Sequence, residues 1–195
     1  MPHNPFSSHN IRPGAMPFIF PEGENADSMV RRLRENGWRG EIVGGHGEGK
    51  STLLAELLPA LRRAGRKPLL IELHDGQRRL PLDLDACCRA EPFDLLIVDG
   101  CEQLGRWNRL RLKRLCRRRG WGLLATAHGS VGLPRIYRAS VSPELAAKVV
   151  EQLLAGRTPS FDPAEISAAF ERQRGNLREM LFDLYDVHER QQPKR

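Results

Sequence analysis

Residues 41–58 read EIVGGHGEGKSTLLAELL, and this stretch decides the fold. Glu41–Val43 is a short strand-like run. Gly44, Gly49, Lys50 and Ser51 then satisfy the spacing GxxxxGK[ST], with Gly45 and Gly47 adding flexibility. Leu53, Leu54, Leu57, Leu58 and Leu61 follow at helical intervals until Gly65 ends the pattern. Strand, glycine turn and striped helix in that order make a loop that holds the phosphates of ATP or GTP. Backbone amides must turn inward around an anion there, and glycine tolerates the positive φ this requires. Lys50 supplies a point charge to the β- and γ-phosphates, and the Ser51 hydroxyl ligates Mg²⁺. The helix that starts at the loop adds the positive end of its dipole. The expected nucleotide-holding set is Gly44, Gly45, His46, Gly47, Glu48, Gly49, Lys50, Ser51 and Thr52.

Working outward, further apolar runs lie at Leu69–Leu73, Leu95–Val98, Leu123–Thr126 and, more weakly, Ile136–Ala139, with helical stretches between them. Short apolar runs alternating with helices imply a parallel sheet covered on both faces. The predicted class is α/β: a three-layer P-loop NTPase fold with a five-stranded, mainly parallel sheet. Upstream, Ala26–Asn36 reads as a helix with Met29, Val30 and Leu33 on one face and Gly37 as its stop. Residues 1–24 are rich in Pro, Gly and Asn and read as an extended lead-in that does not pack. Beyond Ser142 the strands stop. Ser142-Pro143, the box Asp162-Pro163-Ala164-Glu165, and Asn176 with Glu179 each open a helix. The expected organisation is an extended segment (1–24), an ATPase core (25–141), a helical lid (142–190) and a flexible tail (191–195).

A phosphate loop works with an acid at the end of a buried strand, on the metal's far side. Phe93-Asp94-Leu95-Leu96-Ile97-Val98-Asp99 supplies one in Asp99, the second expected Mg²⁺ residue beside Ser51. The competing explanation for Asp99 is a turn residue before Gly100. Hydrolysis also needs a group to orient water. The position after Asp99, where many ATPases carry glutamate, is Gly100, so Glu102 is the nearest carboxylate. It either reaches in from the start of the next helix or simply favours that helix's amino end. Thr126 and His128, ending Ala125-Thr126-Ala127-His128, would neighbour Asp99 if the fourth strand lies beside the third and the loop strand. There either can sense the γ-phosphate, against the plainer reading of a β-favouring threonine and a surface histidine.

Together GGHGEGKS, LLIVDG, the polar end of LLATAH and the carboxy-terminal Gly175-Asn176-Leu177-Arg178-Glu179 resemble the AAA+ branch of P-loop ATPases. The resemblance implies that Arg178 is the lid arginine presented to nucleotide, called sensor 2, and that Ile11 to Phe20 borders the adenine. The chain is also similar to a group of small uncharacterised bacterial ATP-binding proteins, from Asn4-Pro5-Phe6 and Arg12-Pro13-Gly14 through VDGCEQL to the carboxy-terminal helices. Two departures stand out: Gly100, and the absence of an obvious arginine finger, although Arg135 and Arg138 lie roughly where one sits. Without an NKxD motif the base favoured is adenine, so ATP and Mg²⁺ are the expected ligands.

The 195 residues carry a formal net charge of +7 and a pI of about 9.7, which favours an acidic partner. Between Glu102 and Glu144 there is no Asp or Glu, while Arg106, Arg109, Arg111, Lys113, Arg114, Arg117, Arg118 and Arg119 crowd one stretch and Arg135 and Arg138 follow. Much of this stretch reads as one helix with Leu104, Leu112 and Leu115 facing the core, and Trp107 and Trp121 flank the run. Like charges at i,i+4 repel, and a phosphate backbone relieves that. The rival reading is a solvated arginine-rich face. No run reaches membrane-spanning length, the amino end lacks a signal-peptide pattern, and Cys87, Cys88, Cys101 and Cys116 show no CxxC spacing. The cytoplasm is the expected compartment. The function expected is a Mg²⁺-dependent AAA+-like ATPase that switches or drives a partner, a second copy or another protein, with nucleic acid contacted through Arg106 to Arg119 as a further expected partner. A P-loop small-molecule or nucleotide kinase, and an interaction module with little hydrolysis, are the alternatives.

Overall fold

Five short strands, β1 (Arg39–Val43), β2 (Pro68–Glu72), β3 (Leu95–Asp99), β4 (Gly122–Ala127) and β5 (Arg135–Arg138), form one all-parallel sheet in the order β2-β3-β4-β1-β5. The computed structural model describes residues 4–80, 83–154 and 161–191. All five expected runs are strands, and the α/β class is as the sequence predicts. Composition explains the centre of the sheet. Leu95, Leu96, Ile97 and Val98 are wholly buried, as are Leu124, Ala125, Thr126 and Ala127, so both faces of β3 and β4 are covered. The fourth strand does lie between the third and the loop strand, pairing Val98 with Ala125 and Val43 with Ala127.

The described residues form two compact units. One holds residues 20–44 and 54–139, including the sheet. Its helices are α2 (Ala26–Glu35), most of α3 (Lys50–Arg63), α4 (Leu84–Ala90) and α5 (Arg106–Arg119). Asn25 and Ser28 close a capping box at the head of α2, and Met29, Val30 and Leu33 are its buried face. One core runs from Ile71 and Phe93 through Leu104, Leu112 and Cys116 to Trp121 and Val131. Glu41 is buried within β1, and its Oε2 accepts from Val131 N–H (2.9 Å) and Leu133 N–H (3.0 Å). An acid in an apolar strand thereby clamps the connection that leads to β5.

The other unit holds residues 45–53 and the described parts of 1–19 and 140–195. It contains α1 (Ser8–Ile11), α6 (Pro143–Leu154), α7 (Pro163–Arg172) and α8 (Leu177–Gln191). Each predicted cap is present: Ser142 Oγ accepts from Leu145 N–H, Asp162 and Glu165 close a reciprocal box, and Asn176 Oδ1 accepts from Glu179 N–H. The amino-terminal segment departs from the extended, unpacked lead-in expected of it. Phe6 is fully buried among Val150, Phe161, Phe170 and Leu184, and Asn4 Nδ2 donates to Tyr185 O and Glu189. Apart from the single turn of α1 the prolines and glycines leave the segment irregular, and one large buried ring supplies the apolar area that holds it. Of the expected tail, Gln191 ends α8 and residues 192–195 lie outside the described residues. Among the described residues no helix is long and apolar enough to cross a membrane.

Candidate nucleotide site

Gly44 directly follows the loop strand, its N–H donating to Ala127 O at 3.1 Å. One residue upstream of Ala127, Thr126 joins the acid at the end of β3. Its hydroxyl donates to Asp99 Oδ1 and accepts from Gly100 N–H at 2.9 Å. A buried threonine therefore sets the orientation of Asp99 and holds the turn that follows. Thr126 is placed beside Asp99 as the strand order requires, with its hydroxyl engaged by that acid.

Gly100 adopts a φ of +78°, and a Cβ there would approach Leu73 O at 2.8 Å. Both the left-handed backbone and the close carbonyl demand glycine, which accounts for the missing glutamate. Glu102 then sits on a 3-10 turn, Cys101–Gln103, and not on the following helix, which begins at Arg106. This corrects the expectation that it reaches in from a helix start. Glu102 Oε1 lies 3.2 Å from His128 Nε2, while its buried Oε2 has no hydrogen-bond partner among the described residues. The sequence holds no local sign of that pairing, because the two residues come from different strand ends. Arg135 and Arg138 are exposed on the edge strand β5.

The phosphate loop itself turns through Gly47 (φ +71°) and Gly49 (φ +82°) before α3 begins at Lys50. Ser51 and Thr52 occupy the first turn of α3, partly exposed, and His46 is exposed. An anion already occupies a loop amide: Gly45 N–H donates to the Glu48 carboxylate at 2.5 Å. Lys50 Nζ donates to Gly45 O at 2.6 Å. The loop thus offers an N–H donor to a negative group and carries an ammonium on the carbonyl of the same residue, two kinds of donor that a phosphate needs. Against the loop lies the start of α8. A Cβ on Gly47 would overlap the Asn176 side chain and come within 3.2 Å of Arg178 N, so glycine is required there twice over. Arg178 is exposed on the first turn of that helix. Within Ile11 to Phe20, Phe18 is brought to the loop, its ring 3.4 Å from where a Gly49 Cβ would be. Among the described residues no cluster of His, Cys, Asp and Glu forms a metal site independent of nucleotide.

A parallel sheet ordered β2-β3-β4-β1-β5, with a GxxxxGKS loop after its β1 and an acid ending β3, is a P-loop NTPase fold. No family model matches the sequence, and no curated protein matches it. Solved structures do. A DNA replication initiation factor matches with a TM-score of 0.59 at 14% identity, over 88% of this chain and 62% of that one. The AMPPCP-bound DnaA from Aquifex aeolicus matches with a TM-score of 0.56 at 14% identity, over 88% and 63%. The replication initiator DnaA bound to AMPPCP and single-stranded DNA matches at 0.56 and 13%, with the same coverage. This chain spans less than two thirds of the length of those proteins, and the likeness is one of fold.

Proposed function

We propose that this chain binds ATP with Mg²⁺ and acts as an AAA+-like ATPase that switches or drives a partner on single-stranded DNA. The observation that carries the reading is the phosphate loop: a GxxxxGKS turn whose Gly45 N–H already holds a carboxylate, with Lys50 beside it. Two of the structures sharing the fold hold AMPPCP, an ATP analogue, and one of these holds single-stranded DNA. In this reading residues Gly44 to Thr52 hold the phosphates, Lys50 stabilises charge that develops on them, and Phe18 lies against the base or sugar. Ser51 and Asp99 would hold Mg²⁺, which supplies positive charge to the β- and γ-phosphates. Thr126 keeps Asp99 in place, and Arg178 contributes a cation from α8. Glu102, held from one side by His128, is the candidate for accepting a proton from the attacking water. The domain limits 25–141 for the core and 142–190 for the lid, an intracellular setting, and likeness to the small bacterial ATP-binding group belong to the same proposal.

A second reading, nucleotide-dependent binding with little turnover, draws on Gly100, since the turn excludes a glutamate beside Asp99. One assay separates the two. With γ-labelled ATP and Mg²⁺, turnover releases phosphate, whereas a binding module retains the nucleotide; transfer to a small acceptor would instead indicate a kinase. Lys50→Ala should weaken ATP binding at least tenfold by equilibrium dialysis. Undiminished affinity in that variant would overturn the assignment.

A further inference from the structure

Helix α5 has two faces of opposite character. Leu112 and Cys116 are buried and Leu115 packs against the same core. At helical spacing on the other side, Arg106, Arg111, Arg114, Arg117 and Arg118 are all exposed. None of these five makes an ion pair among the described residues. Amid them stands Trp107, 77% exposed, with Leu110 one turn on. Trp107, Arg111, Arg114 and Arg118 follow one another at intervals of four, three and four, which is a single stripe along the helix.

Two other basic residues of α5 have local work. Arg119 pairs with Asp85 at 2.6 Å, and Lys113 Nζ donates to Val131 O and Gly132 O. The last-turn arginines also suit the negative end of the helix dipole. That explanation fails for Arg106, which lies on the first turn, where a cation opposes the dipole and no acidic residue offsets it. It also fails for Trp107, since a large ring left in water gains nothing from burial. The charge is uncompensated in sequence as well, because residues 103–143 contain no Asp or Glu. The outward stripe therefore calls for an anionic polymer with an apolar component.

We infer that the outer face of α5 is a docking surface for single-stranded DNA, its arginines against the phosphates and Trp107 under a base. The inference deepens the proposed function, from which it takes the strand as partner, and it names the face that binds it. Fourteen residues of helix extend about 20 Å, room for up to about six phosphates at stacked spacing. An unpaired base offers its flat face to an aromatic ring, whereas a duplex keeps those faces inside its own stack. Duplex DNA would use the arginines and leave Trp107 idle.

Fluorescence anisotropy with a labelled 20-nucleotide dT strand, without nucleotide and at several salt concentrations, tests this. The wild-type chain should bind with an affinity that falls linearly in log–log against salt. Arg114→Glu/Arg117→Glu/Arg118→Glu should bind at least tenfold more weakly and lower the slope by about two. Trp107→Ala should lose about tenfold with the slope unchanged, and Trp107→Phe should restore most of it. Wild-type binding by both the charge-reversed and the Trp107→Ala chains would overturn the inference. So would tighter binding of blunt duplex or of RNA of equal length, or capture of polyglutamate in place of the oligonucleotide. Binding of a fluorescent ATP analogue, measured in parallel, should be unaffected in these variants. Lys50→Ala should lose the analogue and keep the strand, so failure of the DNA surface is distinguishable from failure of the nucleotide site.

Discussion

In the proposed nucleotide site, Glu48 is an acid of the protein that takes up a loop amide meant for a phosphate oxygen. Its carboxylate accepts from Gly45 N–H, so an incoming triphosphate must displace a charged hydrogen bond and approach a like charge. Such a bond contributes about 1.5–3 kcal/mol. Glu48→Gln should therefore tighten ATP binding by roughly tenfold, read by titration of a fluorescent analogue, with the loop intact because glutamine can still accept from the same amide. An unchanged or weaker affinity would show that the carboxylate does not compete. Gly100 makes a complementary point about single residues. Its φ of +78° and the nearby Leu73 carbonyl dictate glycine, and the nearest following carboxylate is Glu102, two residues on.

Among the elements, β1 matters beyond delivering the loop. Its buried Glu41 accepts two backbone N–H groups from the chain between β4 and β5. Removing the carboxylate leaves both donors unmet, at about 1–3 kcal/mol each when buried. Glu41→Ala should lower stability to denaturant by about 2–4 kcal/mol, and Glu41→Gln, which keeps one acceptor oxygen, should lose less. A loss under about 0.5 kcal/mol in the alanine variant would remove the clamp from the account. Helix α5 runs the other way: its like-charged neighbours at i,i+3 and i,i+4 each oppose helix formation by about 0.2–0.5 kcal/mol. Packing of Leu112, Leu115 and Cys116 outweighs that repulsion, leaving an outward charge that local stability does not explain.

For the molecule as a whole, alkaline pH acts through two buried thiols. Burial pushes Cys101 and Cys116 up to about 11 from 9.0. In the unfolded chain both ionise near 9.0, so between about pH 9 and 11 the unfolded state gives up protons that the folded state keeps. Their contribution is intact below pH 9 and is lost across that window. Urea midpoints should fall from pH 8 to pH 10.5, and Cys101→Ala/Cys116→Ala should flatten part of the fall. An equal drop in the double variant would assign it to other groups. The half-exposed Cys87 and Cys88 should react with a thiol reagent at pH 8 well before the buried pair.

What the sequence alone determined is everything carried by local chemistry. A glycine turn between an apolar run and a leucine stripe can serve few purposes, so the loop from Gly44 to Ser51 was legible at once. So were all five strands and the three capped helices after Ser142, because caps and burial periodicity are short-range signals. Only the tertiary structure decided what depends on residues distant in the chain. The order β2-β3-β4-β1-β5 brings Thr126 to Asp99 and His128 to Glu102. Phe6, in a segment read as a loose lead-in, is buried because helices some 140 residues later enclose it. Of the arginines on α5, the fold separates Arg119, which has Asp85 as partner, from those that face water beside Trp107. No periodicity encodes such pairings, since each depends on how far the backbone has travelled before it returns.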